Sequence, residues 1–140
     1  MTHAASNVVP LHADGDGDLV LIAPGDYLAM YVGHRTFEIF RHMKLRVDFR
    51  LIEYTQPVTL SRWYRVRDCR GGRISASRSS DLVRELEAVL NMRLPRLDRI
   101  PVTALADRDI TIRVRTVTKD HRQKAIAEVS RYSTIDALTP

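Results

Sequence analysis

Residues 44–51 read Lys-Leu-Arg-Val-Asp-Phe-Arg-Leu and carry the clearest periodicity in the chain. Successive side chains of a strand point to opposite faces, so this period of two predicts a strand. One face is apolar: Leu45, Val47, Phe49 and Leu51. The other face is charged: Lys44, Arg46, Asp48 and Arg50. A strand of this kind covers a core on one side and meets solvent on the other, which predicts an antiparallel, mainly β protein.

Further strands are predicted on both sides of this one. Upstream, the pattern alternates over residues 27–32, whereas residues 33–43 are predicted to be irregular. Downstream, strands are predicted over residues 60–67, 110–115 and 129–138. Five short strands are therefore expected in all.

A single helix is predicted between the third and fourth of these strands. Ser79 or Ser80 can cap its first turn, Asp81 suits its positive end, and Asn91 can end it. Its apolar stripe consists of Leu82, Val83, Leu86, Val89 and Leu90. This order of elements is that of the OB fold, so residues 25–140 are expected to form an OB-fold-like five-stranded barrel. Another small barrel or sandwich with one helix is the alternative.

Residues 1–24 are expected to be a flexible, acidic N-terminal arm. Asp14, Asp16 and Asp18 alternate with glycine, a composition typical of turns and loops. The apolar run 19–23 either adds a strand or packs on the body. An acidic arm on a basic body could also lie over a basic binding surface.

The charge distribution is uneven. Residues 27–140 hold 22 basic and 13 acidic side chains, a net charge of about +9, and only three of the basic residues are lysine. The planar guanidinium of arginine pairs with phosphate and stacks on flat rings. This composition favours nucleic acid as a partner, although a solvated basic surface has the same composition.

Aromatic residues lie among the basic residues of the first three predicted strands. Single-strand binders need both, since cations track phosphates and rings stack on unpaired bases. The candidate nucleic-acid contacts here are Tyr31, Arg35, Lys44, Arg46, Arg50, Arg62, Trp63 and Arg65. The fourth strand and the following loop would form a second wall with Arg113, Arg115, Lys119 and Arg122. Trp63 and Tyr64 are adjacent, so one of them is expected in the core.

No pattern for catalysis is apparent, so an enzyme is not expected. The chain has one cysteine, Cys69, and no glycine-rich phosphate loop or nucleophile motif. His34, Glu38 and His42 are spaced four apart, which in an extended chain separates neighbours by about 13 Å. They could not then share one ion, and neither a metal nor a cofactor is predicted.

Several short stretches resemble small proteins of bacterial plasmids, integrative elements and phages, similar to phage-type single-stranded DNA-binding proteins. The stretches are Gly25–Tyr31, Lys44–Phe49, Arg62–Val66 and Arg131–Ile135. The resemblance implies an OB fold over residues 25–138 and a role in mobile-element replication, repair or transfer. The last five residues given, Asp-Ala-Leu-Thr-Pro, do not resemble the acidic tail typical of bacterial single-strand binders, so recruitment of partners through such a tail is not expected.

The function expected from the sequence is therefore binding of single-stranded DNA with low sequence specificity. RNA remains open, as does self-association through an unpaired edge strand. The competing hypothesis is a protein-interaction module, or an inhibitor of a host factor, because Arg, Trp and Tyr are also favoured at protein interfaces. No apolar run reaches the ~20 residues of a membrane span, and the N-terminus lacks a signal pattern. A cytoplasmic location is expected.

Overall fold

The computed structural model describes residues 9–13, 18–119, 123–125 and 132–140. Strands β1 (Val9–Ala13) and β2 (Asp18–Leu21) pair antiparallel in a small sheet of their own. The main elements are β3 (Gly25–Ile39), β4 (His42–Leu51), β5 (Thr59–Val66), α1 (Asp81–Leu90), β6 (Asp109–Val117) and β7 (Tyr132–Thr139). Two short 3₁₀ turns lie at Arg70–Gly72 and Val102–Leu105.

Strands β3 to β7 form one antiparallel sheet in the order β5-β4-β3-β6-β7. The mainly β class, the five strands of this sheet and the position of the helix between its third and fourth strands are confirmed. The sheet is not closed into a barrel. Its edge strands β5 and β7 approach each other, and Thr134 Oγ1 donates a hydrogen bond to the Ser61 carbonyl at 3.2 Å.

Strand β3 is longer than predicted. The expectation that residues 33–43 are irregular is wrong, because β3 continues to Ile39 and pairs with β4 from Ala29 to that residue. The register shifts between Tyr31 and Gly33. Odd-numbered residues therefore face the core up to Tyr31 and face outward from Gly33 onward. Beyond this bulge both faces of β3 are largely solvated, which removes the hydrophobic alternation that would have revealed the strand.

The alternation of β4 places its faces as predicted. Leu45, Val47 and Phe49 are fully buried, whereas the intervening residues are half-buried or exposed. Strand β6 follows the same pattern, with Ile110, Ile112 and Val114 buried. The sheet therefore has one core face, and its charged residues lie on the opposite, outward face.

The helix α1 covers the core face. Leu82, Val83 and Leu86 are fully buried, and the Ser80 side chain accepts a hydrogen bond from the Val83 amide, which confirms a serine cap. Asn91 ends the helix in the left-handed conformation, at φ 53°. Asparagine tolerates this conformation better than most residues, so the predicted end of the helix is also confirmed.

Glu85 of α1 links the helix to both edges of the sheet. It is paired with Arg62 of β5, and its Oε1 accepts hydrogen bonds from Tyr64 Oη at 2.7 Å and from the Leu138 amide of β7 at 2.9 Å. Burial raises the pKa of the Tyr64 hydroxyl well above its ordinary value, and the negative charge of Glu85 raises it further. One carboxylate thus spans the gap between the two edge strands.

The segment before β3 also contributes to the core. Ile22, which lies in the predicted arm, is 1% exposed. Its amide donates to Ser133 Oγ at 2.8 Å, and the same hydroxyl donates to the Ile22 carbonyl at 3.1 Å. Residues 1–8 and 14–17 of the predicted arm, including Asp14 and Asp16, lie outside the described residues.

Candidate functional site

The outward face of β3, β4 and β5 brings together most of the residues predicted from the sequence. In the strand register Arg35 lies opposite Arg46, and Arg46 lies opposite Trp63. In the next row Phe37 lies opposite Lys44, and Lys44 lies opposite Arg65. Directly opposed residues share a face, so each of the two rows holds two cations and one aromatic ring.

Two aromatic rings and two guanidinium groups form a cluster at the centre of this face. The ring centroids of Phe37 and Trp63 lie 5.2 Å apart with a tilted geometry. The guanidinium carbons of Arg35 and Arg46 lie 5.3 and 5.4 Å from the Phe37 centroid, and that of Arg46 is 5.9 Å from the Trp63 ring. These distances are within the range of cation–π attraction.

Asp48 holds this cluster in place. The Arg46 Nε lies 3.0 Å from Asp48 Oδ1, which also accepts a hydrogen bond from Ser61 Oγ at 2.6 Å. Arg46 is therefore largely neutralised, and its side chain is only 14% exposed. Arg46 thus positions the rings, while Trp63, at 39% exposed, is open to a ligand.

Three cations of the outward face have no carboxylate partner among the described residues: Lys44, Arg50 and Arg65. Arg65 Nη2 lies 2.6 Å from the ring nitrogen Nδ1 of His42. Arg50 Nη2 lies 3.8 Å from the Met30 sulfur. Their positive charge is not balanced locally, so it is available to an anionic ligand.

Two predicted contacts do not lie on this face. Tyr31 lies opposite the buried Phe49, on the core side of the sheet, and its Oη is 2.6 Å from His34 Nδ1. Arg62 also points to the core side, where Glu85 occupies its guanidinium. Burial opposes the charge of Arg62, but its bonds to Glu85 and its interactions with Tyr64 raise its pKa. Both residues support the fold rather than the outward face.

In the second predicted wall, the two arginines of β6 are paired with carboxylates. Arg113 and Arg115 are exposed on β6, but Arg113 lies 3.4 Å from Asp26 and Arg115 lies 3.1 Å from Asp136. Lys119 is exposed just beyond the strand. Arg122 lies outside the described residues. Lys44, Arg50 and Arg65, predicted contacts without a carboxylate partner among the described residues, thus lie on β4 and β5 rather than on β6.

A shallow cleft of about 420 Å³ adjoins the face next to Arg65. Its lining combines charged and hydroxyl side chains: Arg65, Arg67, Ser77, Ser79, Ser80 and Asp81. Its lining includes no aromatic ring on which a base could stack. The open face of the sheet is consequently the stronger candidate for a binding surface.

The histidines of the β3–β4 hairpin do not form a metal site. His34 lies opposite Val47 on the core side, whereas His42 shares the outward face with Lys44. Burial lowers the pKa of His34, although the nearby charge of Asp48 opposes that shift. In the part of the chain that the structure describes, no three His, Cys, Asp or Glu side chains are grouped as metal ligands would be.

Phe37 belongs to the cluster but was not among the contacts predicted from the sequence. Phe37 lies two residues after Arg35, so in an extended strand the two share a face. The predicted irregularity of residues 33–43 concealed this relationship. The strand bounds therefore decide which aromatic residues belong to the cluster.

Comparison with known proteins identifies no relative. The chain matches no family model, no curated protein and no solved structure. Within residues 9–13, 18–119, 123–125 and 132–140, no helix has the length and apolar character needed to cross a membrane.

Proposed function

We propose that this protein binds single-stranded nucleic acid, most simply single-stranded DNA, with low sequence specificity and without catalysis. The observation that carries the proposal is the outward face of β3, β4 and β5. There the Phe37–Trp63 pair lies beside Lys44 and Arg65, two cations with no carboxylate partner among the described residues. Flat rings can stack on bases of any sequence, while the cations neutralise the phosphates between them.

The strand order supports this proposal. A sheet ordered third-second-first-fourth-fifth strand, with one helix after the third strand, is the arrangement expected of an OB fold. The approach of β5 to β7 brings together the two strands that would close such a barrel. OB folds bind oligonucleotides on the face around their second and third strands, which here are β4 and β5.

The contacts have separate roles in this mechanism. Trp63 is the more exposed ring of the Phe37–Trp63 pair and provides the stacking surface. Arg46 holds the pair against β4. Lys44, Arg50 and Arg65 lie along the same face and contact successive phosphates. Each phosphate contact releases condensed counterions, so the affinity must fall steeply as the salt concentration rises.

The test is fluorescence anisotropy of a labelled oligo-dT across a salt series, with duplex DNA and single-stranded RNA of equal length as competitors. Wild-type protein is expected to prefer the single strands. The double variant Lys44→Gln/Arg65→Gln should reduce the slope of log K against log salt by about 1.4, since each lost single-strand phosphate contact contributes about 0.7. Trp63→Ala should weaken binding about 5-fold or more at every salt concentration, because it removes stacking rather than charge.

A matched control removes the same charge elsewhere. Arg93 and Arg99 are exposed between α1, which covers the core face, and the second 3₁₀ turn. Arg93→Gln/Arg99→Gln should leave the salt slope close to that of the wild type. An equal change in both double variants would show that only the net charge matters, and the proposed face would then be wrong.

A protein partner is the second candidate, favoured by exposed apolar residues at the other end of the outward face. Leu28, Val32 and Ile52 are 43%, 48% and 42% exposed, and the Ile52 amide donates to the Leu28 carbonyl at 3.0 Å. Apolar side chains exposed together are typical of protein interfaces. Capture of a host protein that survives nuclease and high salt, and that Val32→Ser abolishes, would favour this function over nucleic-acid binding.

A further inference from the structure

The turn between β3 and β4 is unusual in its backbone. Phe40 and Arg41 form a two-residue turn closed by the Ile39–His42 pair, and both have left-handed conformations, with φ values of 48° and 66°. Turns of this type match the twist of a hairpin, but they normally use Asn-Gly, because a side chain is strained at positive φ. Here a bulky aromatic residue and an arginine occupy both strained positions.

Phe40 is also the most exposed large apolar residue of the described chain, at 91%. Its neighbour Ile39 is 37% exposed. The chain thus accepts backbone strain and an unburied aromatic ring at the same residue. Local strain of this kind is concentrated at binding sites, where it holds a side chain in a set direction.

The hairpin that carries the turn is a rigid support. Strands β3 and β4 are paired up to the Ile39–His42 rung, and β5 supports β4 as far as the Met43–Val66 rung. A ring at the end of such a hairpin keeps its position when it meets another surface. A longer, flexible loop would let the ring fold back onto the protein.

The turn lies at one end of the proposed nucleic-acid face. Ile39 and His42 are on the outward side of the hairpin, next to the row that contains Phe37 and Lys44. A nucleic-acid strand that follows this face along β4 therefore reaches the turn. Arg41 and Lys44 supply positive charge on either side of the apolar pair Ile39–Phe40.

We propose that Ile39, Phe40 and Arg41 form a wedge that engages the junction between single-stranded and double-stranded nucleic acid. The inference rests on the proposed single-strand binding and extends it to a particular substrate. Proteins that open a base step insert apolar side chains such as Phe and Ile. The last base pair before a single strand is already half unstacked, so it yields to a wedge at the least cost. The Phe40 ring would cover that pair while Arg41 contacts the adjacent phosphate.

The experiment compares a duplex carrying a single-stranded tail with a fully single-stranded DNA of the same total length. A fluorescent adenine analogue is placed at the last base pair, where unstacking increases its emission. Wild-type protein should bind the tailed duplex about 5-fold or more tightly than the single strand, and should raise the emission. Phe40→Ala should bring this preference close to one while leaving oligo-dT affinity unchanged, and Phe40→Trp should preserve it.

Met92→Ala is the matched control, since Met92 is 51% exposed in the turn that follows α1. It should behave like the wild type. If oligo-dT binds but Phe40→Ala keeps the junction preference, or if the wild type shows none, the wedge is wrong and the proposed function stands. If oligo-dT does not bind at all, both are wrong. The wedge would also be wrong if the wild type showed no junction preference but bound a protein partner that Phe40→Ala does not bind.

Discussion

At the scale of single residues, the strained turn at Phe40 and Arg41 makes a prediction about stability. Phe40→Asn/Arg41→Gly replaces both residues with the pair that this turn geometry favours. Each left-handed position costs a residue with a side chain about 1–2 kcal/mol. Glycine avoids this cost and asparagine bears less of it, but glycine is also freer in the unfolded chain, which reduces the gain. The double variant should therefore raise the free energy of unfolding by about 1 kcal/mol, measured by urea denaturation, and the junction preference should fall because the Phe40 ring is lost.

A rise in stability would show that the turn carries strain, which proteins often retain where a binding site requires it. The variant Phe40→Ala separates the two effects, because alanine keeps the strained backbone and removes only the ring. Its unfolding midpoint should match that of the wild type. A loss of stability in Phe40→Asn/Arg41→Gly would mean that the Phe40 ring supports the fold.

At the scale of elements, the contact of α1 with both sheet edges depends on Glu85. Glu85→Gln removes the charge that neutralises Arg62, a guanidinium whose side chain is only 13% exposed. Loss of one partner of a buried ion pair costs about 3 kcal/mol, because the other charge remains buried. The urea midpoint should fall accordingly, without a change in the m-value.

An exposed ion pair of the same helix provides the comparison. Arg84 pairs with Asp81 on the surface, where both side chains are more than half exposed. Arg84→Ala should change stability by no more than about 0.5 kcal/mol. If Glu85→Gln is as mild as Arg84→Ala, the carboxylate does not hold the edges together.

The sequence predicted the elements whose periodicity reports a core directly. In β4 and α1 the buried positions recur at the period of the element. Ser80 begins the helix by capping an amide of the first turn, and Asn91 ends it in the left-handed conformation. The role of Glu85 could not be predicted in this way. A carboxylate in the first turns of a helix suits the helix dipole in any fold, and only the three-dimensional arrangement brings Arg62 and Leu138 to it.

The candidate site was predictable to the same extent. The basic outward face of β4 followed from its alternation. The alternation of β5 also predicted that either Trp63 or Tyr64 lies in the core, and Tyr64 is the buried one. Tyr31 was wrongly placed on the same face as Arg35, because the bulge between them puts the two residues on opposite faces and leaves no periodic signal. The ion pairs that engage Arg62, Arg113 and Arg115 depend on contacts distant in sequence.

At the scale of the whole molecule, Ile22 tests where the cooperative unit begins. Its side chain is buried with the sheet core, and its backbone is held by Ser133 of β7, although it precedes β3 and the sheet. Ile22→Ala should lower the free energy of unfolding by about 2–4 kcal/mol, as for other buried isoleucines. Trp63 fluorescence, which reports from the opposite edge strand, should show the same shift as circular dichroism, because a small single domain unfolds as one unit. An unchanged Trp63 transition would mean that the segment before β3 is an independent arm, and that the core closes without it.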